Sequence, residues 1–403
     1  MSPADAGSPP PVGRPGSGLS RDDAGAGPPP AGRPGSGLSR DDAPGGPVRD
    51  TARKGRKRGG GRGGDRSMVP PAEFRSYYGR PIVKPAVWHH DIAAYLFTGG
   101  LAAGSALLAA GGDASGRPAL RRAGRVTALG AVLASGYFLV NDLGRPERFL
   151  HMLRVAKPTS PMSMGTWIFS AFSVAAGAAA VAEAAPLLPR KGLPGVARKL
   201  LPPVGTAGQY GAAVVAPALA TYTAVLLADT ATPSWHAAYP ELPFVFAGSA
   251  LASGAGVGLI AAPPGQTGPA RRMAVAGAAM ELYGAHQVET TKGILSEPYR
   301  EGKAGKLLRA GRTLTALGVA GAVLGRRSRV VSALSGLSLL TASLVTRFGI
   351  FEGGMASARD PKYTVLPQRE RLAQRDDKSA KPLLATPSRN PRVARVRSRV
   401  RRW

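Results

Sequence analysis

Five histidines occur in the 403 residues, and each stands at the edge of an apolar segment. His89 and His90 lie in "VWHHDIAAYLFTGGLAAG", Val87–Gly104, between Trp88 and Asp91, where a hydrophobic, glycine-rich run begins. His151 belongs to "NDLGRPERFLHM", His236 to "DTATPSWHAAYPELP" and His286 to "HQVETTKGILSEPY". The same stretches carry Asn141, Asp142, Asp229 and Glu289, with Tyr222 and Glu281 a little deeper in the neighbouring apolar runs. Imidazole, phenol and amide groups donate hydrogen bonds to a carbonyl-bearing ligand, and carboxylates relay protons.

The elements that must position these groups are long and apolar. A bilayer span needs about 20 mostly apolar residues, and eight runs approach that length, near 91–111, 124–143, 164–185, 209–228, 243–262, 269–288, 310–325 and 329–347. The seventh is short and the sixth contains Glu281 and His286. The expected fold is an all-α integral membrane protein, a bundle of about eight transmembrane helices. Gly100 and Gly104, and Gly254 and Gly258, have the small-xxx-small spacing that lets helix backbones approach closely in lipid.

With eight spans, the start of the first run and the loops after the second, fourth and sixth share one face. All five histidines fall on that face, together with Trp88, Trp167 and Trp235, each of which also suits an interfacial aromatic belt. Ionisable groups within spans are costly and mark candidate sites. Tyr222 lies two turns inside its run from Asp229, and Glu281 and Glu289, eight residues apart, share roughly one helical face. For Asp142 and Asp229 a salt bridge or an interhelical hydrogen bond is the competing structural reading.

The distribution does not supply facing histidines for a pair of b-type haems, and a closed metal site requires tighter ligand spacing. A quinone headgroup fits better: two carbonyl oxygens that need donors, an apolar tail that needs a cleft open to lipid, and a proton route. His90, Tyr222 and Asn141 are the candidate donors, Trp88 is the aromatic neighbour, and Asp91, Asp142, Asp229, Glu281 and Glu289 are the candidate proton relay, with Asp91 as partner of His90. The same buried acids also allow a proton or small-solute transporter or channel.

Polar tails flank this centre. Residues 1–86 are expected as a disordered Pro/Gly/Arg-rich tail, in which "GRPGSGLSRDDA" occurs at 13–24 and again at 32–43; so little apolar surface cannot offset the entropy of ordering. Residues 87–355 form the expected transmembrane domain and 356–403 a basic C-terminal tail, with 14 Lys and Arg against 4 Asp and Glu. The tails hold more than half of the net charge of +29, which points to anionic lipid, an acidic partner or nucleic acid; the tract "RKGRKRGGGRGGDR" resembles RNA-binding tracts in composition, and a membrane-surface anchor is the simpler reading for a chain with membrane spans. The basic excess puts both termini on the cytoplasmic side. No apolar core of a cleaved signal precedes the first run. The absence of cysteine rules out thiolate ligation of an iron–sulfur cluster within this chain.

"WHHDIAAYLFTGGLAAGS", "DLGRPERFLHMLRVAKPTSPMSMGTW", "TYTAVLLADTATPSWHAAYPELPFVFAGSA" and "DPKYTVLPQRERL" together resemble the NrfD/PsrC family, the membrane subunits of polysulfide-reductase-type molybdopterin oxidoreductase complexes, over about residues 86–372. The resemblance implies an eight-helix subunit of the cell membrane with no haem, iron–sulfur cluster or metal of its own. It implies electron exchange between a quinone, menaquinone being the expected type, and an iron–sulfur subunit that serves a molybdopterin catalytic subunit, with a formate-dehydrogenase-like complex as the expected setting. Family quinone contacts correspond here to the WHHD stretch, His90 first, and to Tyr222 in the YTxxLL motif. Ala224 departs from the glycine expected in that motif. In polysulfide reductase the quinone site lies toward the periplasmic side, against the orientation that the tails suggest.

Overall fold

Proline and serine set most helix starts in the computed structural model, which describes residues 81–187 and 195–380. The twelve α-helices are α1 (His90–Ala114), α2 (Pro118–Asp142), α3 (Arg148–Met152), α4 (Pro161–Ala184), α5 (Gly195–Ala228), α6 (Pro233–Ala237), α7 (Leu242–Ala261), α8 (Gly268–Thr290), α9 (Glu297–Arg300), α10 (Gly302–Leu324), α11 (Arg329–Arg359) and α12 (Lys362–Ala380). Pro118 and Pro161 sit in the first turns of α2 and α4, where a missing N–H costs nothing. Ser160 and Ser328 cap α4 and α11, accepting from the amides of Ser163 at 3.4 Å and Val331 at 3.3 Å. Gly144, at φ +67°, turns the chain out of α2.

Eight long helices occupy the eight apolar runs, and no strand occurs among the described residues. They pair as sequential hairpins, α1 with α2, α4 with α5, α7 with α8 and α10 with α11. Seven of the eight are long and apolar enough to cross a membrane. The exception is α8, in which Arg271, Arg272, Glu281, His286 and Glu289 lower the apolarity; it buries Glu281 and Glu289 toward its neighbours.

Apolar side chains point outward as well as inward: Val174, Val214 and Leu324 are among the most exposed large apolar residues, the pattern of a helix surrounded by lipid. The interior is built of Ala, Gly and Leu around α7, which packs on α1, α5, α8 and α11. A Cβ on Gly254 would strike the backbone of Gly104, and one on Gly256 would come 2.6 Å from the Gly336 carbonyl oxygen. Only glycine permits backbones this close, as the small-residue spacing predicts.

The expected 355/356 boundary falls inside α11, and the described part of the C-terminal segment is helical to Ala380. Met355, Ser357 and Ala358 are buried, Asp360 accepts from the Lys362 amide at 2.9 Å, and the Lys362 ammonium pairs with Glu297 at 2.6 Å. Burial, with the Glu297 and Asp360 carboxylates beside it, pushes the Tyr363 phenol pKa up. These contacts tie the start of α12 to the body. The repeat at 13–24 and 32–43, the tract at 53–66 and residues 381–403 lie outside the described residues.

Candidate functional site

Antiparallel hairpins bring the start of α1, the ends of α2, α5 and α8, and the short helices α3 and α6 to one end of the bundle. His89, His90, His151, His236 and His286 all belong to it. Each residue of the WHHD stretch has a partner. Trp88 stacks on Trp235, with centroids 6.0 Å apart, and the fully buried Trp235 donates its indole N–H to the Ile350 carbonyl at 2.9 Å. The exposed His89 places its amide 3.2 Å and Nδ1 3.4 Å from Oδ1 of Asp142. His90 Nε2 lies 3.0 Å from Oε1 of Glu352, an oxygen that also accepts from the Lys303 ammonium at 2.7 Å, and its ring stacks on Phe348.

Asp91 is not the partner of His90. Successive helical residues point about 100° apart, so His90 faces α11 while Asp91 faces α2 and accepts from the Asn141 amide at 2.7 Å. Asn141 and Asp142, expected as donor and relay, are thus engaged by Asp91 and His89.

Tyr222 lies elsewhere at this end. Its ring, largely buried on α5, rests against Gly165 of α4, and its hydroxyl has no hydrogen-bond partner among the described residues. Tyr222 lines a cleft of about 270 Å³ together with Pro158, Thr159, Pro161, Met164, Val225 and Asp229. Tyr222, Val225 and Asp229 are spaced i, i+3 and i+7, one face of α5. Met162, Trp167 and Val225 remain exposed beside it. The lining joins Tyr222 to Asp229 and includes none of Trp88, His90 and Asn141.

The two glutamates of α8 are buried and held. Glu281 accepts from the Thr346 hydroxyl at 2.8 Å, next to Arg347. Arg347 has no exposed surface; its Nη2 donates to the Phe246 carbonyl at 2.7 Å, its Nε to the Ser249 hydroxyl at 3.4 Å, and its guanidinium lies 3.9 Å over the Phe246 ring. Gly100 makes room for it: a Cβ there would come 2.8 Å from Arg347 Nη2. One oxygen of Glu281 and one nitrogen of Arg347 are left unpartnered. Glu289 pairs with Arg312 at 2.6 Å. Among the described residues no group of three His, Asp or Glu is arranged to hold a metal ion.

Sequence reading missed Arg347, Glu352, Lys303 and Gly165. Arg347 closes the eighth apolar run and Glu352 lies beyond it, so each read as a helix end. Gly165 stands inside the "SMGTW" motif, but its spatial role requires α5.

An all-helical bundle with seven membrane-length apolar helices, a polar end and an apolar-walled cleft is a multi-pass membrane protein. Residues 82–267, from just before α1 to the loop after α7, match the family described as polysulphide reductase, NrfD. Over that stretch the chain is similar to the NrfD family, whose members are membrane subunits of polysulfide-reductase-type complexes, anchor iron–sulfur and molybdopterin subunits and interact with quinones. No curated protein matched the chain.

Proposed function

We propose that this chain is the quinone-reactive membrane subunit of a molybdopterin and iron–sulfur oxidoreductase complex of the cell membrane. The observation that carries the reading is the cleft beside Tyr222: a buried phenol with no partner of its own, a carboxylate on the same helix face, and apolar walls beside exposed apolar residues. A quinone headgroup enters from the lipid between α4 and α5 and accepts a hydrogen bond from the Tyr222 hydroxyl. On oxidation of a quinol, two electrons pass to the iron–sulfur partner and two protons leave, with Asp229 at the cleft as the first acceptor.

The groups at the start of α1 act beyond the headgroup in this reading. His90 with Glu352, Asp91 with Asn141, and His89 with Asp142 form hydrogen-bonded pairs suited to handing protons toward water, and Trp88 fixes that corner by stacking. Glu281 and Glu289 are each held by a cation or a hydroxyl, which supports a structural share in their role beside proton relay. Menaquinone is the proposed quinone type and a formate-dehydrogenase-like complex the proposed setting. Both termini are placed on the cytoplasmic side from the basic excess of the tails.

Titration of the purified chain with a fluorescent hydroxyquinoline N-oxide quinol analogue tests the site. Tyr222→Phe removes one hydrogen bond, worth about 1 kcal/mol, so affinity falls about fivefold; unchanged affinity refutes the assignment. The buried Glu281 and Arg347 favour a second reading as a transporter, in which the chain alone in proteoliposomes carries a proton or solute flux without any redox partner.

A further inference from the structure

Carboxylates hold several cations at both ends of the bundle. At the histidine end carboxylates neutralise them: Glu352 with Lys303 at 2.7 Å, Glu241 with Lys292 at 2.7 Å, Glu297 with Lys362 at 2.6 Å and Glu289 with Arg312 at 2.6 Å. At the opposite end, Arg121, Arg122 and Arg125 share Glu183. The corner where the α7–α8 loop meets the α10–α11 loop has no carboxylate partner of this kind among the described residues. There Arg271 Nη2 donates to the Arg326 carbonyl at 2.7 Å, and Arg329 donates to the last carbonyls of α7, those of Leu259, Ile260 and Ala262. Arg117 donates to the Ser115 carbonyl at 3.3 Å and reaches the start of α8, its Nη2 3.6 Å from where a Cβ on Gly268 would stand.

A backbone carbonyl fixes the position of a guanidinium without neutralising it. Three guanidiniums, those of Arg117, Arg271 and Arg329, are held in this way, and the charge of Arg326 acts on Arg271 beside it; an anion relieves the mutual repulsion of such a group. The Arg271 Nε is buried and unpartnered, and Arg326 has no ion-pair partner among the described residues while remaining exposed. Directly beside the cations the surface is apolar. Val330 and Leu334, one turn apart on α11, are exposed, and so is Val275 on α8, one turn from Arg271. Phosphate-recognising cations above an apolar stripe match a molecule with an anionic head and hydrocarbon chains.

We propose that this corner binds an anionic phospholipid, its headgroup phosphate on Arg117, Arg271, Arg326 and Arg329 and its chains along α8 and α11. The site lies at the end of the bundle away from the quinone cleft and does not depend on that reading.

The test titrates the full chain, in neutral detergent, with mixed micelles carrying phosphatidylglycerol, and in parallel with phosphatidylcholine and with inorganic phosphate. Phosphatidylglycerol binds and added salt weakens it. Arg271→Ala combined with Arg326→Ala lowers the affinity about 25-fold, roughly fivefold for each lost arginine near the membrane surface. Arg326→Gln alone, at an exposed side chain without a partner, keeps the fold and gives about a fivefold loss. Quinol-analogue binding, read at the other end, stays at the wild-type value and reports intact folding. Unchanged phosphatidylglycerol affinity in the variants overturns the proposal, because it puts the lipid on the basic tails, which the variants share with the wild type. Equal binding of phosphatidylcholine overturns it too, as does competition by inorganic phosphate at the same concentrations as the lipid, which would mean a site for free phosphate.

Discussion

Substituting Gly165 by alanine tests the Tyr222 cleft without touching any group that does chemistry. The new Cβ would stand 2.7 Å from Cδ2 and 3.2 Å from Cζ of the Tyr222 ring, and closer still to Cε2. Carbon atoms settle at about 3.6 Å, so the ring must retreat by about 1 Å or α4 and α5 must part. Overpacking of this kind costs about 1–3 kcal/mol of stability. The hydroxyl moves with the ring, and a displacement of about 1 Å abolishes a normal hydrogen bond, a loss of about 1 kcal/mol or about fivefold in affinity. If the oxygen is also the one that orients the reacting quinone, turnover falls by up to about 100-fold. Gly177→Ala is the control: it lies on the same helix and its Cβ would meet nothing within 4 Å. Quinol-analogue titration and thermal unfolding of both variants give the answer. Gly165→Ala with wild-type affinity would refute the claim that this glycine positions the phenol, as would equal effects of the two substitutions.

Two further outcomes are expected. Arg347→Ala leaves the buried Glu281 without its counter-charge and beside a cavity, and lowers stability by about 3–5 kcal/mol, seen as a much lower unfolding temperature in detergent; Glu281→Gln, which keeps the shape and the acceptor for Thr346 but strands the buried Arg347 charge, also lowers it, and an unchanged unfolding temperature of Glu281→Gln would show that the two charges do not compensate each other. A green fluorescent reporter fused after Trp403 fluoresces if the C terminus is cytoplasmic, as the basic tails suggest; a dark fusion paired with an active periplasmic phosphatase fusion reverses the orientation.

The long helices were legible because lipid-facing helices are apolar on every side, so the runs themselves mark the elements. α12 was not, since "KYTVLPQRERLAQRDDKSA" has no apolar period; its Glu, Gln, Arg, Leu and Ala residues favour helix, and that weaker signal was read as tail charge. Within the site, Tyr222 and Asp229 were legible from their spacing on one helix. The pairing of His90 with Glu352 was not, because it joins residues 262 positions apart across a helix whose end was misjudged. Apolarity stops near Arg347, but the helix continues, since α6 covers it: Trp235 takes the Ile350 carbonyl and Ser357 accepts from the Ser234 amide at 3.2 Å. Glu352 and Lys303 also lie outside the stretch that matches the family.

The length of α11 has an architectural consequence. Its first residue, Arg329, is tied to the end of α7 at Ala262, so the last residue of α7 and the first of α11 lie level at the arginine-rich end. α7 has 20 residues and α11 has 31, or about 30 Å and about 46 Å at 1.5 Å per residue. The last three turns of α11 therefore rise about 16 Å past the other end of α7, carrying Glu352 and the seat of Trp235. Together with α6, α9 and α12 they build a protein roof over the histidine end. Any protein partner arriving at this end would meet a shaped, hydrogen-bonded surface instead of lipid headgroups, so its orientation would be set by protein contacts.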